Sequence, residues 1–377
     1  MVLNRFVNKL LFKIPQIKGI VKEKKQIQFE YQAVVEELQV KETKRRDFIT
    51  FLYQKILQRT PEESEVKEWL KTDYNNQELL NLFLDSEEYQ ELNKTQILLD
   101  NLAHIPGVIT KNKTIDAYIA YPGSDRMQLN FALNSKPFQL DDLLECLHFL
   151  SAKALITSEK NCFLDIGANI GSTSIYAIKS KYFTQAICLE PAQLNYQFLR
   201  WNSQLNDLQE KIQCLKYGVA NTIGEQELIC SPNNCGDFRL NVDTNHATNN
   251  SLFAEETFTS EKVNFTTLDN LLAEKIINID NIGVIWIDCQ GSEGLVFAGG
   301  NEFFQQLSVP IYTEFWPYGL KRLNCEAQYF DFLNKYGKAF VRFVNNQPQY
   351  IDLQYLTNFY DQNISTGEHC DILILPN

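Results

Sequence analysis

Residues 163–171, Phe-Leu-Asp-Ile-Gly-Ala-Asn-Ile-Gly, set a carboxylate and two glycines where an apolar run ends, and Ser172-Thr173-Ser174-Ile175-Tyr176-Ala177 follow as the first turns of a helix. An acid at the carboxyl end of a buried strand, here Asp165, suits a ligand that carries positive charge. Gly167 and Gly171 let backbone approach that ligand closely, and open α/β sheets bind ligands along this edge. A dinucleotide pyrophosphate needs Gly-x-Gly-x-x-Gly, which brings backbone amides onto phosphate. Ala168 and Asn169 break that spacing and Asp165 would repel phosphate, so an NAD-linked oxidoreductase fails on the glycines.

Further acids recur at strand ends. Ala186-Ile187-Cys188-Leu189 delivers Glu190, followed by Pro191, to the neighbouring position, where an acid accepts hydrogen bonds from ribose hydroxyls. Ile282-Gly283-Val284-Ile285-Trp286-Ile287 delivers Asp288 to the same edge as Asp165, ahead of a turn at Gly291 and a helix-starting Glu293. Ile311-Tyr312-Thr313 ends in Glu314, before Phe315-Trp316-Pro317-Tyr318. Carboxylates beside aromatic rings suit a sugar, although Phe315 and Trp316 serve equally well as core covering the sheet end. Residues 231–250, rich in Asn, Asp and Gly, read as a loop between strands that holds Asp237, Arg239 and His246. A long loop in a compact domain is often functional, and His246 is a candidate base because a free imidazole titrates near neutrality.

The elements that must position these residues alternate. Strands are expected at 162–167, 186–190, 211–216, 283–288, 309–315, 339–344 and 371–375, with helices after most of them and a helix over 138–158 leading in. Apolar strands separated by helical segments imply a mainly parallel seven-stranded sheet covered on both faces. Ahead of it, residues 101–137 form a β-rich connector, with β-like runs at 117–121 and 129–133. Residues 47–100 form a helical module. Phe48, Phe51, Leu52, Ile56 and Leu57 recur at helical spacing; Thr60 is expected as the cap of a second helix with Pro61 in its first turn; a third covers 76–84. Arg59 and Trp69 are expected to be structural. Residues 1–46 read as a basic helical lead-in broken at Pro15.

Two resemblances follow from these residues. The loop at Asp165 resembles the first motif of class I S-adenosylmethionine-dependent methyltransferases. Asp-Ile-Gly-Ala-Asn-Ile-Gly, Leu-Glu-Pro, Thr-Leu-Asp (267–269) and Ile-Asp-x-x-Gly-x-Glu together resemble the FkbM family of methyltransferases, over roughly residues 138–375. The resemblance implies a class I methyltransferase (Rossmann-like) fold, S-adenosyl-L-methionine as cofactor, and O-methylation, often of sugar hydroxyls on glycans or secondary metabolites. It implies Asp165, Gly167, Asn169, Gly171 and Glu190 as cofactor-binding, and Asp288, Glu293, Glu314 and His246 as catalytic candidates. The family usually carries Asp-Val-Glu-Gly-x-Glu, whereas Cys289-Gln290 stand here for Val-Glu. An acid is thereby replaced by an amide that only hydrogen-bonds, which keeps open a non-catalytic binding or scaffold protein on a degenerate methyltransferase fold. The pattern Leu52-Tyr53, Leu57-x-Arg59-x-Pro61, Trp69 and Ser86-x-Glu88-Tyr89 resembles the helical domain DUF4214, which implies an accessory module and a protein partner reached through residues 1–100.

The bulk numbers bound the rest. The 377 residues, 44% hydrophobic, carry a net charge of −12. Residues 1–46 hold eleven Lys/Arg against five Asp/Glu, a net of +6, which leaves −18 on the remainder. An acidic catalytic half argues against nucleic acid as partner, so a small-molecule or glycan acceptor is expected. Nine cysteines without a Cys-x-x-Cys pair read as free thiols in a reducing compartment, and the four histidines form no metal-ligand pattern. No transmembrane segment or signal peptide is expected. The location expected is the cytoplasm, with the basic N-terminus as a means of touching a membrane surface.

Overall fold

The computed structural model describes residues 42–57, 59–89, 107–133, 139–241, 253 and 255–376, in two compact units divided between Leu102 and Ala103. All but the last residues of the basic lead-in lie outside the described residues.

Among the described residues the first unit has three helices, α1 (Glu42–Lys55), α2 (Glu63–Leu70) and α3 (Asn76–Asp85). They bury Phe48, Ile49, Leu52, Val66, Leu79 and Phe83 in a core of their own. Arg59 and Trp69 are structural parts of it: Arg59 donates to both oxygens of Glu65 at 2.9 and 2.7 Å and to Glu88 at 2.6 Å, and Trp69 Nε1 donates to the Tyr53 hydroxyl at 3.1 Å. α2 starts later than Thr60 and Pro61 suggest. Its cap is Glu62, whose backbone N–H donates to Glu65 at 2.7 Å.

The second unit opens with a hairpin, β1 (Val108–Asn112) and β2 (Ala117–Tyr121), then α4 (Arg126–Leu133) and α5 (Leu140–Ala152). The run 129–133, expected as β, is helical. Buried Asp125 caps it, accepting from the Gln128 N–H at 2.9 Å, and that cap decides between two periods too short to separate. There follow β3 (Cys162–Ile166), α6 (Ser172–Lys179), β4 (Gln185–Leu189), α7 (Gln193–Leu205), β5 (Ile212–Leu215), β6 (Gly218–Val219), β7 (Gly224–Cys230), β8 (Phe238–Leu240), β9 (Thr259–Thr266) and α8 (Leu268–Ala273). The chain continues through β10 (Ile282–Ile287), α9 (Glu293–Ala298), α10 (Asn301–Gln306), β11 (Ile311–Phe315), α11 (Pro317–Arg322), α12 (Glu326–Tyr336), β12 (Gly337–Val344), β13 (Gln347–Ile351), α13 (Leu353–Asn363) and β14 (Cys370–Pro376).

The main sheet runs β13-β12-β14-β11-β10-β3-β4-β5, eight strands where seven are expected. β5, β4, β3, β10 and β11 are parallel, and β14, β12 and β13 join antiparallel. The additional strand, β13, returns from β12 through Asn345 and Asn346, both left-handed at φ 51° and 58°, the geometry of a two-residue hairpin turn. Every residue of β3 and β10 is buried, so the sheet is covered on both faces at its centre. Strand order reverses at β3, with β4 and β5 to one side and β10 and β11 to the other. The crevice of this α/β sheet therefore opens where the loops after β3 and β10 meet.

A smaller sheet, β6-β9-β7-β8, flanks the crevice. It corrects the reading of 231–250 as loop throughout: β8 lies within that stretch, and 242–250, with His246, fall outside the described residues.

Candidate functional site

The loop after β3 is fixed by backbone contact. Gly167 is left-handed, at φ 83°, and a Cβ there would stand 1.9 Å from the Asp288 carbonyl oxygen. The Asp288 N–H donates to the Ile166 carbonyl at 3.0 Å, which ties this loop to the one after β10. Gly171, at φ 82°, leads into α6 under Leu199. Asp165 is 1% exposed and accepts from the Ser174 hydroxyl of α6 at 2.6 Å. Burial pushes its carboxyl up to about 7; the Ser174 bond opposes the shift and the Asp288 charge adds to it.

Glu190 follows β4 and is buried. One oxygen accepts from the Ala192 N–H and the other from the Asn169 N–H, both at 2.9 Å. The acid thus shapes the glycine loop and keeps one lone pair on each oxygen for a ligand. Burial raises it to about 8 against those backbone bonds. Beside it lies a narrow pocket of about 60 Å³, bordered by Pro191, Asn195, Tyr217, Gly218, Val219 and Phe238. Its walls fit a flat ring, with the Asn195 amide oxygen buried and without a hydrogen-bond partner among the described residues.

Asp288 stands where this pocket meets a wider cleft of about 450 Å³; both are bordered by Gly167, Asn169, Gly236, Asp288 and Gln290. Its two oxygens accept from two amides, Gln139 Nε2 on Oδ2 at 2.9 Å and Gln290 Nε2 on Oδ1 at 2.8 Å. The Thr173 hydroxyl of α6 donates to Gln139 in turn at 3.0 Å. Gln290 therefore holds the neighbouring acid, and a second carboxylate in its place would face Asp288 as a like charge. Burial raises Asp288, against both amide bonds.

The remaining candidates separate. Glu293 lines neither cavity. It is fully buried and accepts from the Cys289 and Gly291 N–H groups at 2.8 and 3.3 Å, which closes the turn into α9. Glu314 borders the wide cleft, with one oxygen buried and unpartnered among the described residues and the other 3.9 Å from His369. Phe315 is core, at 0% exposure. Trp316 walls the cleft, its indole N–H on the Gly367 carbonyl at 3.2 Å.

Two cleft residues, Gln139 and Asp371, escaped the reading of the sequence, and Arg239 was named there only as part of a loop. Gln139 comes from the left-handed residue before α5. Asp371 comes from the antiparallel β14, in register with Glu314. Arg239 of β8 is 2% exposed, bonded to Asp237 at 2.5 Å and to Glu255, with its guanidinium 4.6 Å from the Phe253 ring and 4.7 Å from that of Trp316. A charged residue in an apolar strand run was the one signal available for Asp371.

Residues 165–340 match the family model described as methyltransferase FkbM domain, and residues 33–93 match the domain of unknown function DUF4214. In sequence order, then, a DUF4214 domain over 33–93 precedes an FkbM methyltransferase domain over 165–340. No curated protein matches it. Among solved structures it is similar to methyltransferase FkbM from Methylobacillus flagellatus KT, at 13% identity over 77% of this chain and 60% of that one, with a TM-score of 0.35. It thus spans less than two thirds of that protein. It is also similar to precorrin-6y C5,15-methyltransferase from Geobacter metallireducens GS-15, at 14% identity over 64% of this chain and 89% of that one, TM-score 0.31. A third is an O-methyltransferase from Bacillus cereus in complex with SAH, at 10% identity over 63% and 91%, TM-score 0.29. Among the described residues no helix is long and apolar enough to cross a membrane, and no group of three metal-ligating side chains occurs.

Proposed function

We propose that the chain transfers a methyl group from S-adenosylmethionine to an oxygen of a hydroxylated small molecule or glycan, a sugar hydroxyl above all. The observation that carries this reading is the meeting of a narrow pocket beside Glu190 with a wide cleft at Gly167, Asn169 and Asp288. On this reading the narrow cavity takes part of the cofactor and the wide one the acceptor. The residues present fit the cofactor: the amide oxygens of Asn169 and Asn195 are buried without partners among the described residues, ready for donors of a ligand, and Gly167 borders both cavities.

S-adenosylmethionine supplies a methyl group on positively charged sulfur. In this assignment Asp165 holds its ammonium by charge and hydrogen bond, and Glu190 takes the ribose hydroxyls on its free lone pairs. The acceptor must be aligned with its oxygen about 3–3.5 Å from the methyl carbon. Asp288, at the junction of the cavities, receives the proton that the attacking hydroxyl gives up. The two amides on Asp288 fix its orientation for that task. Glu293 takes no part in the transfer, because it faces the α9 turn.

A scaffold with a lost site was the second reading, and Gln290 its support. The bond from Gln290 to Asp288 weakens that support, since the amide has a task at the centre of the cleft. Asp165→Ala and Glu190→Ala test the proposal. Calorimetry should give a loss of S-adenosylmethionine affinity of at least about a hundredfold in each, some 2.7 kcal/mol, with far-ultraviolet circular dichroism unchanged. Wild-type affinity in both variants would defeat the assignment.

A further inference from the structure

The wide cleft is more acidic than the cofactor requires. Arg239 is matched inside the protein by Asp237 and Glu255. On the reading proposed above, Asp165 takes the cofactor's ammonium and Asp288 takes the proton of the attacking hydroxyl. Three acids of the cleft are then left over, Asp142, Glu314 and Asp371, and the basic side chains of its lining are Arg239, already held by Asp237 and Glu255, and His369.

Two of the three are set against each other. Glu314 of β11 and Asp371 of β14 are directly opposed in the antiparallel register, and both border the cleft. Like charges directly opposite one another across a strand pair are destabilising. The nearest basic atom to Glu314, His369 Nε2, is 3.9 Å away on a side chain 57% exposed, too far and too wet to neutralise the pair. The second Glu314 oxygen is shut off from solvent and finds no hydrogen-bond donor among the described residues, although its side chain is only 12% exposed. A buried carboxylate oxygen without a donor lacks a partner that it needs. Asp371 and Glu314 are both pushed up, Asp371 to about 7, first by burial and then by the neighbouring acids.

We infer that the acceptor carries a protonated amine next to the hydroxyl that is methylated, as an amino sugar or amino alcohol does, and that Glu314 and Asp371 bind that ammonium. Each element of the arrangement answers to such a ligand. An ammonium donates to the orphaned oxygen, compensates the opposed pair, and leaves the neighbouring hydroxyl to reach Asp288, whose charge acts on both acids. An acceptor with a carboxylate or phosphate would meet the same acids as a repulsive wall. This inference rests on the proposed methyl transfer, and its test separates the two.

The full chain is saturated with S-adenosylhomocysteine and titrated calorimetrically with D-glucosamine, N-acetyl-D-glucosamine, D-glucose and D-glucuronate. Glucosamine should bind at least about tenfold more tightly than glucose, its N-acetyl derivative no better than glucose, and glucuronate worst of all. Glu314→Gln should bring glucosamine and glucose to within about twofold of each other, and Asp371→Asn serves as a second variant at the other end of the opposed pair. Equal binding of glucosamine and glucose, preference for glucuronate, or no binding of any of the four would overturn the inference while the methyl-transfer reading stands. Failure of S-adenosylhomocysteine itself to bind would overturn both.

Discussion

Asp165 and Glu190 are acids held in the interior before any ligand arrives, raised to about 7 and about 8 by burial. Free carboxylates titrate near pH 4, so between about pH 4 and 8 the folded protein binds more protons at these groups than the unfolded chain does. Stability of the ligand-free protein therefore falls as pH rises across that window. A cation favours the ionised acids. Binding of S-adenosylmethionine should then release protons, and its affinity should increase from about pH 6 to about pH 7.5, below the titration of its own amine. Calorimetry in two buffers of different ionisation heat measures the release; proton uptake, or a flat profile, would contradict the placement. The acids themselves were legible in the sequence because each closes an apolar run. Gln139 and Asp371 were not, because their place at the cleft depends on α5 and β14 coming from outside the motif, and no local spacing encodes that.

The β1–β2 hairpin and α7 illustrate what elements add. The Asn202 side chain on α7 accepts from the Ala120 N–H at 2.6 Å and donates to the carbonyls of Ala120 and Ile170, both at 2.8 Å. One buried amide thus closes the edge of β2 and braces the glycine loop just before Gly171. Asn202→Ala leaves these backbone groups without partners, and a loss of about 3 kcal/mol in unfolding free energy is expected, with weaker cofactor binding because the loop loosens. Denaturant unfolding with titration of the variant checks both; a change under about 0.5 kcal/mol would show that water replaces the amide. Alternating strands and helices gave the sheet its elements in advance. The helix at 126–133 did not show, because Asp125 as cap outweighs a short apolar pattern that fits either period.

At the scale of the molecule, the DUF4214 unit and the methyltransferase unit have separate cores. A change of hydrophobic period, from a helical repeat to strands, is the signal in the sequence that separates them. The eighth strand was not, because Gln347–Ile351 is mostly exposed and carries no apolar run. Leu52 is fully buried in the helical core. Leu52→Ala should cost about 2–5 kcal/mol there and speed amide hydrogen exchange in residues 48–84, with S-adenosylmethionine affinity unchanged. Altered affinity would mean that the two units are coupled.

The central claim is that the crevice at β3, β4 and β10 binds S-adenosylmethionine. Calorimetric titration of the full chain with S-adenosylmethionine, alongside NADH, tests it most directly. The account predicts saturable micromolar binding of the first and none of the second. Binding of NADH, or silence with both, would contradict it.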